Sequence, residues 1–580
     1  MCIRDRVYAA LEGFEGVETR SQERERIQGD ILSEITEEFG GEDGGYNVEM
    51  VELYAGGRYS VYIFRRFTDI RLVMAPELGI AYFGGDWDNF TYPRYNLDMS
   101  FYRVYGDDGR PLQTDHFFPL TRDGVKKGDL VFVIGNPGTT TRLHTVAQLE
   151  YRRDVEDQAI LDLLRTRTPV LEEYAAAHPE EAREMDLRNT IFGFNNYMKS
   201  QTGVVEGLND PIIMAKRRDH EKKFQAAIDA DPDLRAEYGD LISRMAELQA
   251  RKRERAPQLS AFQAFGHPTL GSSTLGRAQL AIQLLSAQQQ GMDEEVLDQI
   301  RTALMGIADQ PRELNEAQMA QRFEGFVKYY GLDDPFVQEV LQGRSPEGAA
   351  AVLMSGTILA DSASTAQALS EGTLSPQDPA MPVIWAIIQQ MALQEQVQQV
   401  VLPEEAEIAS ALGRAHFEVY GTDVPPDATF SLRIADGVVA DYEYNGTIAP
   451  IFTTFFGLYD HYYSYGPGSD WDLPEKWLDP PGSFDLSTPV NFVSTADIIG
   501  GNSGSPVIDR EHRIVGLVFD GNIESLPGNY IYLPERNRTV SVDARGILEA
   551  LEEMYGAGRL VSEMTTGALA STEPEADGLR

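Results

Sequence analysis

The texture of the chain changes twice along its length, and those two changes limit what it can fold into. Up to residue 144, short β-type runs follow one another, separated by Gly, Asp and Pro. They are Val48–Tyr54, Tyr59–Phe67, Ile70–Ala75, Ile80–Phe83, Asp98–Tyr105 and Leu130–Gly135. An amphipathic stretch over residues 20–40 precedes them, with Ile27, Ile31, Leu32, Ile35 and Phe39 at helical spacing. From Thr145 the pattern turns helical and stays so, with Pro169 expected to break the first long helix. Gln279–Gln290 and Ile387–Val401 read as packed helices, and Lys216–Lys223 and Arg251–Arg255 as solvated helix faces. Strand-type runs return after Pro425-Pro426: Thr429–Ile434, Val438–Tyr444, Ile451–Phe456, Val490–Ser494 and Arg538–Val542. An aromatic, Pro- and Gly-rich excursion, Tyr459–Pro481, lies among them. A helix over Ala544–Tyr555 closes the fold, and residues 557–580 read as a disordered tail. The order is β, a long α insertion, then β.

Charge narrows the choice of partner. With 50 Lys and Arg against 91 Asp and Glu, the net charge is −41. Binding of nucleic acid needs a basic face, which argues against that class. An acidic surface instead attracts cationic groups, free amino termini among them. The only cysteine is Cys2, so no intrachain disulfide can form; one Cys and eight scattered His point to no zinc centre. No apolar run reaches membrane-span length. The opening Met-Cys-Ile-Arg-Asp-Arg lacks the apolar region and cleavage site of a signal peptide.

The chemistry concentrates in Gly500-Gly501-Asn502-Ser503-Gly504-Ser505-Pro506. A serine between small residues, with glycines on both sides, is what an exposed nucleophile needs, because glycine admits backbone conformations closed to other residues. Taken alone, the segment is equally a glycine-rich β-turn. Serine hydrolysis also requires a base and an acid that orients it. Asp98, at the head of the alternating run Asp-Met-Ser-Phe-Tyr-Arg-Val-Tyr, is the best candidate acid, although a strand-initiating Asp in a turn has the same appearance.

The loop resembles the Gly-Asp-Ser-Gly-Gly-Pro segment of chymotrypsin-like serine peptidases. Two further strings, Phe83-Gly84-Gly85-Asp86-Trp87-Asp88-Asn89-Phe90-Thr91-Tyr92-Pro93-Arg94-Tyr95-Asn96-Leu97-Asp98 and Phe519-Asp520-Gly521-Asn522-Ile523-Glu524-Ser525, resemble the bacterial dipeptidyl-peptidase 7 and 11 family. The resemblance implies a mixed β and α fold: a chymotrypsin-like double β-barrel with a large inserted α-helical cap domain. Residues 1–144 would be an incomplete first barrel, 145–424 the cap and 425–556 the second barrel carrying the nucleophile. It further implies a serine-type dipeptidyl aminopeptidase without metal or organic cofactor, with Ser503 as nucleophile, Asp98 as triad acid, and the N–H groups of Gly501 and Ser503 as oxyanion hole. Asn89 and Asp520 would hold the substrate's free amino group, with Phe90 lining the site. Asn196 would contribute from the cap, with Asn195 as the alternative. A buried ammonium needs such acceptors to offset its desolvation. Gly521 occupies the position where the acidic-specific branch has an arginine, which implies a hydrophobic or broad P1 preference.

One element departs from the pattern. The family's histidine precedes the triad aspartate, but the first histidine here is His116. The expectation is that a segment bearing signal peptide, first strands and histidine is missing, and that the chain as given is inactive. Loss of the base costs about 10⁶ in kcat. Periplasmic or cell-surface location and a homodimer follow from the resemblance, with peptides bearing a free N-terminus as partners. The alternatives are a chymotrypsin-like endopeptidase and a non-catalytic peptide-binding homologue.

Overall fold

The computed structural model describes residues 6–7, 17–41 and 44–569. The chain forms two compact units: residues 1–144, 206–239 and 409–580 make one, and residues 145–205 and 240–408 the other.

In the first unit, helix Val17–Glu38 buries Ile27 and Ile31 against Tyr59. Strands β1 (Tyr46–Leu53) and β2 (Arg58–Arg65) pair antiparallel, as do β3 (Asp69–Met74) and β4 (Phe101–Tyr105). Next come β5 (Leu130–Gly135), β6 (Arg433–Val438), the small hairpin β7 (Tyr442–Tyr444) and β8 (Thr447–Ala449), and β9 (Phe452–Thr454). The last strands are β10 (Pro489–Ser494), β11 (Pro506–Ile508), β12 (Ile514–Gly521) and β13 (Thr539–Asp543). Seven of them form one antiparallel sheet in the order β6-β5-β11-β12-β13-β10-β9. Strand β13 is buried along its whole length, as a strand covered on both faces must be. Val131, Val133, Phe492, Val507, Val515 and Val518 fill one side of the sheet, and the helix Ala544–Glu549 places Ile547 and Leu548 in a second cluster with Val542. A bridge between Val439 and Ser494, with Thr495 N–H donating to the Val438 carbonyl at 2.9 Å, curls the sheet so that β6 meets β10.

The expected succession of strands, helices and strands is what the structure has. Two closed barrels are not found among the described residues. Strand β5, expected in the first barrel, is instead bonded between β6 and β11.

Other expectations are corrected. Ile80–Phe83 is no strand: Leu78–Ala81 is a single helical turn, and Ile80 and Phe83 are fully buried. A short apolar run carries no period to distinguish the two states. The strand assigned from Asp98 begins only at Phe101, because the preceding segment is pinned by Asn96 N–H donating to Asn491 Oδ1 (2.9 Å) and Leu97 N–H to Ile80 O (3.1 Å) rather than by a ladder. The run Ile451–Phe456 passes after β9 into a helix, Phe455–Tyr465, that takes in the start of the aromatic excursion. Within the supposed tail, Gly558–Thr566 is a helix that buries Val561, and Leu120 N–H donates to the Met564 carbonyl at 2.9 Å. Residues 570–580 lie outside the described residues.

The second unit is helical throughout. Its core gathers Leu275, Met319, Phe323, Phe326, Leu353 and Ile384 from several helices. Helix starts are closed by side chains: Ser272, Ser345 and Asp361 accept from the N–H groups of Leu275, Gly348 and Ser364. Pro169 lies inside helix Asp157–Ala177 and does not end it. The flanking Leu164, Leu171 and Tyr174 are buried, and that packing outweighs a penalty of about 3 kcal/mol.

Candidate active site

The loop before β11 is held from three directions. Gly138 N–H donates to Gly500 O (2.7 Å), Gly504 N–H to Val518 O on β12 (2.7 Å), and Ser505 N–H to Asn502 O (2.9 Å). Asn502 also donates its N–H to Ile499 O and accepts Ile499 N–H on Oδ1, both at 3.1 Å. Gly135 on β5 must be glycine here, since a Cβ would lie 2.0 Å from Ser505 Oγ. Gly501 sits at φ +107°, where a Cβ would meet Asn136 O at 2.6 Å. Among the described residues, the N–H groups of Gly501 and Ser503 are absent from these bonds. Ser503 itself is exposed.

Ser503 and Asp98 line one cavity of about 640 Å³, together with Gly504, Val518, Phe519 and residues of the β4 segment. Asp98 opens to solvent, yet the protein around its carboxyl desolvates it and raises its pKa. Arg94 opposes that shift and Asp520 adds to it.

A second group of the expected residues is joined by hydrogen bonds. Phe90 has φ +54°, a conformation that a bulky side chain adopts only under constraint. The constraint is Asp520, whose Oδ2 accepts Phe90 N–H at 2.9 Å while Oδ1 accepts Gly521 N–H at 2.7 Å. A register shift between Val518 and Asp520 in the β12–β13 ladder sets Asp520 in place. Burial raises the Asp520 pKa; Arg94 and the two N–H groups hold it back. Asn89, the neighbour of Phe90, is buried. Gly521 is also buried, and a Cβ there would meet Ser525 Oγ at 2.5 Å.

Arg94 was not singled out from the sequence, although it stands inside one of the quoted strings. Its buried guanidinium forms an ion pair with Asp520 and donates to Asp88 O (2.6 Å) and Asn96 Oδ1 (3.1 Å). Its Cζ lies 5.1 Å from the Phe519 ring centroid. This one residue ties the 88–96 segment to the end of β12.

Asn195 and Asn196 lie on helix Leu187–Asn209, both half-buried; Asn195 Nδ2 donates to Glu172 Oε1 at 3.1 Å. None of the eight histidines lines the cavity of Asp98 and Ser503. His461 packs on Tyr95 (4.7 Å between centroids), and His178 faces Glu313. His416 stacks on Phe224 at 3.7 Å, where burial pushes its pKa down to about 4. His512 occupies a turn at φ +61°. No group of three metal-ligating side chains, and no helix long and apolar enough to cross a membrane, occurs among the described residues.

The Asp/Glu-specific dipeptidyl-peptidase of Capnocytophaga gingivalis is 26% identical over 97% of this chain and 82% of its own. Dipeptidyl-peptidase 7 of Porphyromonas endodontalis is 24% identical over 97% of this chain and 70% of its own. The crystal structure of Porphyromonas endodontalis DPP11 with the dipeptide Arg-Glu superposes with a TM-score of 0.75 at 20% identity, covering 92% of this chain and 80% of that one. A family profile, Peptidase S46, matches residues 4–566. The chain belongs to the Peptidase S46 family.

Proposed function

We propose that this chain is a serine dipeptidyl aminopeptidase in which Ser503 attacks the scissile carbonyl and Asp98 orients the imidazole that takes its proton. The observation that carries the reading is the shared cavity of Asp98 and Ser503, two residues from opposite ends of the chain. The uncommitted N–H groups of Gly501 and Ser503 support their role at the oxyanion. The held-open backbone of Phe90 against the buried Asp520 supports a site for a substrate's ammonium, with Asn89 beside it. Asn196 is a proposed contributor to the same recognition. The names of the relatives, dipeptidyl-peptidases throughout, support the reaction class.

The curled run from β6 to β10 supports one barrel of a chymotrypsin-like pair, and residues 145–424 the inserted helical domain. Export to the periplasm or cell surface and a homodimer are inferred from the family.

The relatives divide between Asp/Glu-specific enzymes and dipeptidyl-peptidase 7, so their names leave P1 undecided. Gly521 places no charge beside Asp520, which supports an apolar P1 residue. Peptides ending their first dipeptide in Leu and in Glu, cut in parallel by the protein and by Gly521→Arg, separate the classes. Preference for Glu in the unaltered protein would reverse the assignment.

The test of the reaction supplies imidazole from solution, since no histidine among the described residues lines the cavity. A peptide with a free amino end is incubated with the protein in the presence and absence of free imidazole. Imidazole-dependent release of the N-terminal dipeptide, lost on N-acetylation and in Ser503→Ala, is expected. Equal cleavage of acetylated peptides would indicate an endopeptidase. Binding without cleavage at any imidazole concentration would indicate a peptide-binding protein.

A further inference from the structure

In the helical unit, the contact of helix Asp157–Ala177 with helix Arg312–Tyr330 encloses positive charge that no carboxylate among the described residues pairs with. Arg167 is 2% exposed, Arg322 4%, Thr168 1% and Gln318 0%. Arg167 donates from Nη1 to Gln318 O at 2.9 Å, and Gln318 and Arg322 stand one turn apart on the same helix. Arg322 donates from Nη1 to Ala261 O and Gln263 O, both at 2.9 Å, and its Cζ lies 5.6 Å from the Phe265 ring centroid.

Those bonds leave much unmet. Arg167 Nε, Arg322 Nη2, Thr168 Oγ1 and both amide atoms of Gln318 have no partner among the described residues. Among the described residues, neither guanidinium pairs with a carboxylate. Asp162 and Glu324 act on Arg167 only at longer range, and Asp162 is bound to Lys328 and to the Tyr329 hydroxyl. The two arginines repel each other, and burial lowers both pKa values, that of Arg322 to about 10, which leaves it charged at neutral pH. Unpaired buried charge is costly, and interiors normally pair it.

The unmet donors and the unmet charge ask for the same thing. A water molecule can accept two of these hydrogen bonds but cannot offset a charge. Phosphate and sulfate are larger, and a second negative charge makes their transfer into a closed core harder. A halide accepts from several N–H and O–H donors at once and brings a single charge. We propose that Arg167, Arg322, Thr168 Oγ1 and Gln318 Nε2 bind a buried chloride ion that holds these two helices of the helical unit together.

The full chain is melted at constant ionic strength while sodium gluconate is exchanged for sodium chloride or bromide. Above the dissociation constant, each tenfold rise in chloride is expected to lower the unfolding constant tenfold, with bromide acting alike. In the double variant Arg167→Met/Arg322→Met, apolar replacement of both charges is expected to keep the fold and abolish the response. Crystals grown in bromide and measured at its absorption edge are expected to show an anomalous scatterer between the two guanidinium groups. The proposal is overturned by stability indifferent to the anion, by a response that survives in the double variant, or by bromide crystals with water alone at that place. If the double variant does not fold, the bromide map of the unaltered chain decides.

Discussion

Replacing Arg94 by Met keeps an aliphatic stem in the core and removes the guanidinium that pairs with Asp520. Side-chain exposure is 3% for Arg94 and 6% for Asp520, so water cannot stand in for the lost partner. Asp88 O and Asn96 Oδ1 lose donors at the same time. Removing one member of such a buried pair costs about 3–5 kcal/mol, because the other charge is left uncompensated. Part of that cost depends on pH. Asp520 already has a pKa above its ordinary value, and without Arg94 it rises further. Between the ordinary carboxylate value and the raised one, the native state binds more protons than the unfolded state, so stability falls as pH rises through that window. The deficit of Arg94→Met is therefore greatest at alkaline pH and shrinks on acidification, as Asp520 takes up a proton. Arg94→Met/Asp520→Asn removes both charges, keeps an amide oxygen to accept Phe90 N–H, and recovers part of the loss. Equilibrium urea unfolding of the parent, the two single variants and the double variant at pH 5 and pH 8 measures all of this. A loss under about 1 kcal/mol for Arg94→Met, a double variant no better than the single one, or a deficit that grows toward acid would refute the reasoning.

Asp98 also carries a raised pKa, so its charge opposes folding at pH 8. Thermal melting should show Asp98→Asn more stable than the parent at pH 8 and equal to it near pH 3, while imidazole-dependent hydrolysis falls by about 10⁴. Gly501→Ala places a Cβ against Asn136 O and Gly138 N at a positive φ. It should cost about 1–3 kcal/mol in unfolding measurements and lower kcat by about 10²–10³ through a displaced N–H group. Pro169→Ala restores a donor within helix Asp157–Ala177 and should raise the melting temperature of the helical unit, as followed by far-ultraviolet circular dichroism.

What the sequence makes legible follows from range. The helix at Val17–Glu38 and the strands β1 to β3 rest on spacing within one window, and each appears within a few residues of its expected place. Runs this short mislead, as at Ile80–Phe83, where four residues are too few to show either period. Pro169 shows the converse: a local breaker is overridden by leucines packed on either side of it.

Pairing between distant segments is not written in any local pattern. Strand β5 lies against β11 and β6 because Val131 and Val133 share a core with Val507 and Val515, a choice made by packing alone. The same holds at the site. Ser503, Asp98 and Asp520 stand out in the sequence through the strings that resemble the family rather than through any local period. Arg94 becomes conspicuous only once folding sets it against Asp520, as does the positive φ of Phe90, whose N–H Asp520 accepts.

The most direct measurement of the peptidase reading is the mass of the peptide that contains Ser503 after reaction with a dipeptide p-nitrophenyl ester in imidazole buffer. A mass gain equal to the dipeptidyl acyl group, confined to Ser503 and absent when the ester's amino group is acetylated, is predicted. Acylation at another residue, or equal labelling by the acetylated ester, would contradict it.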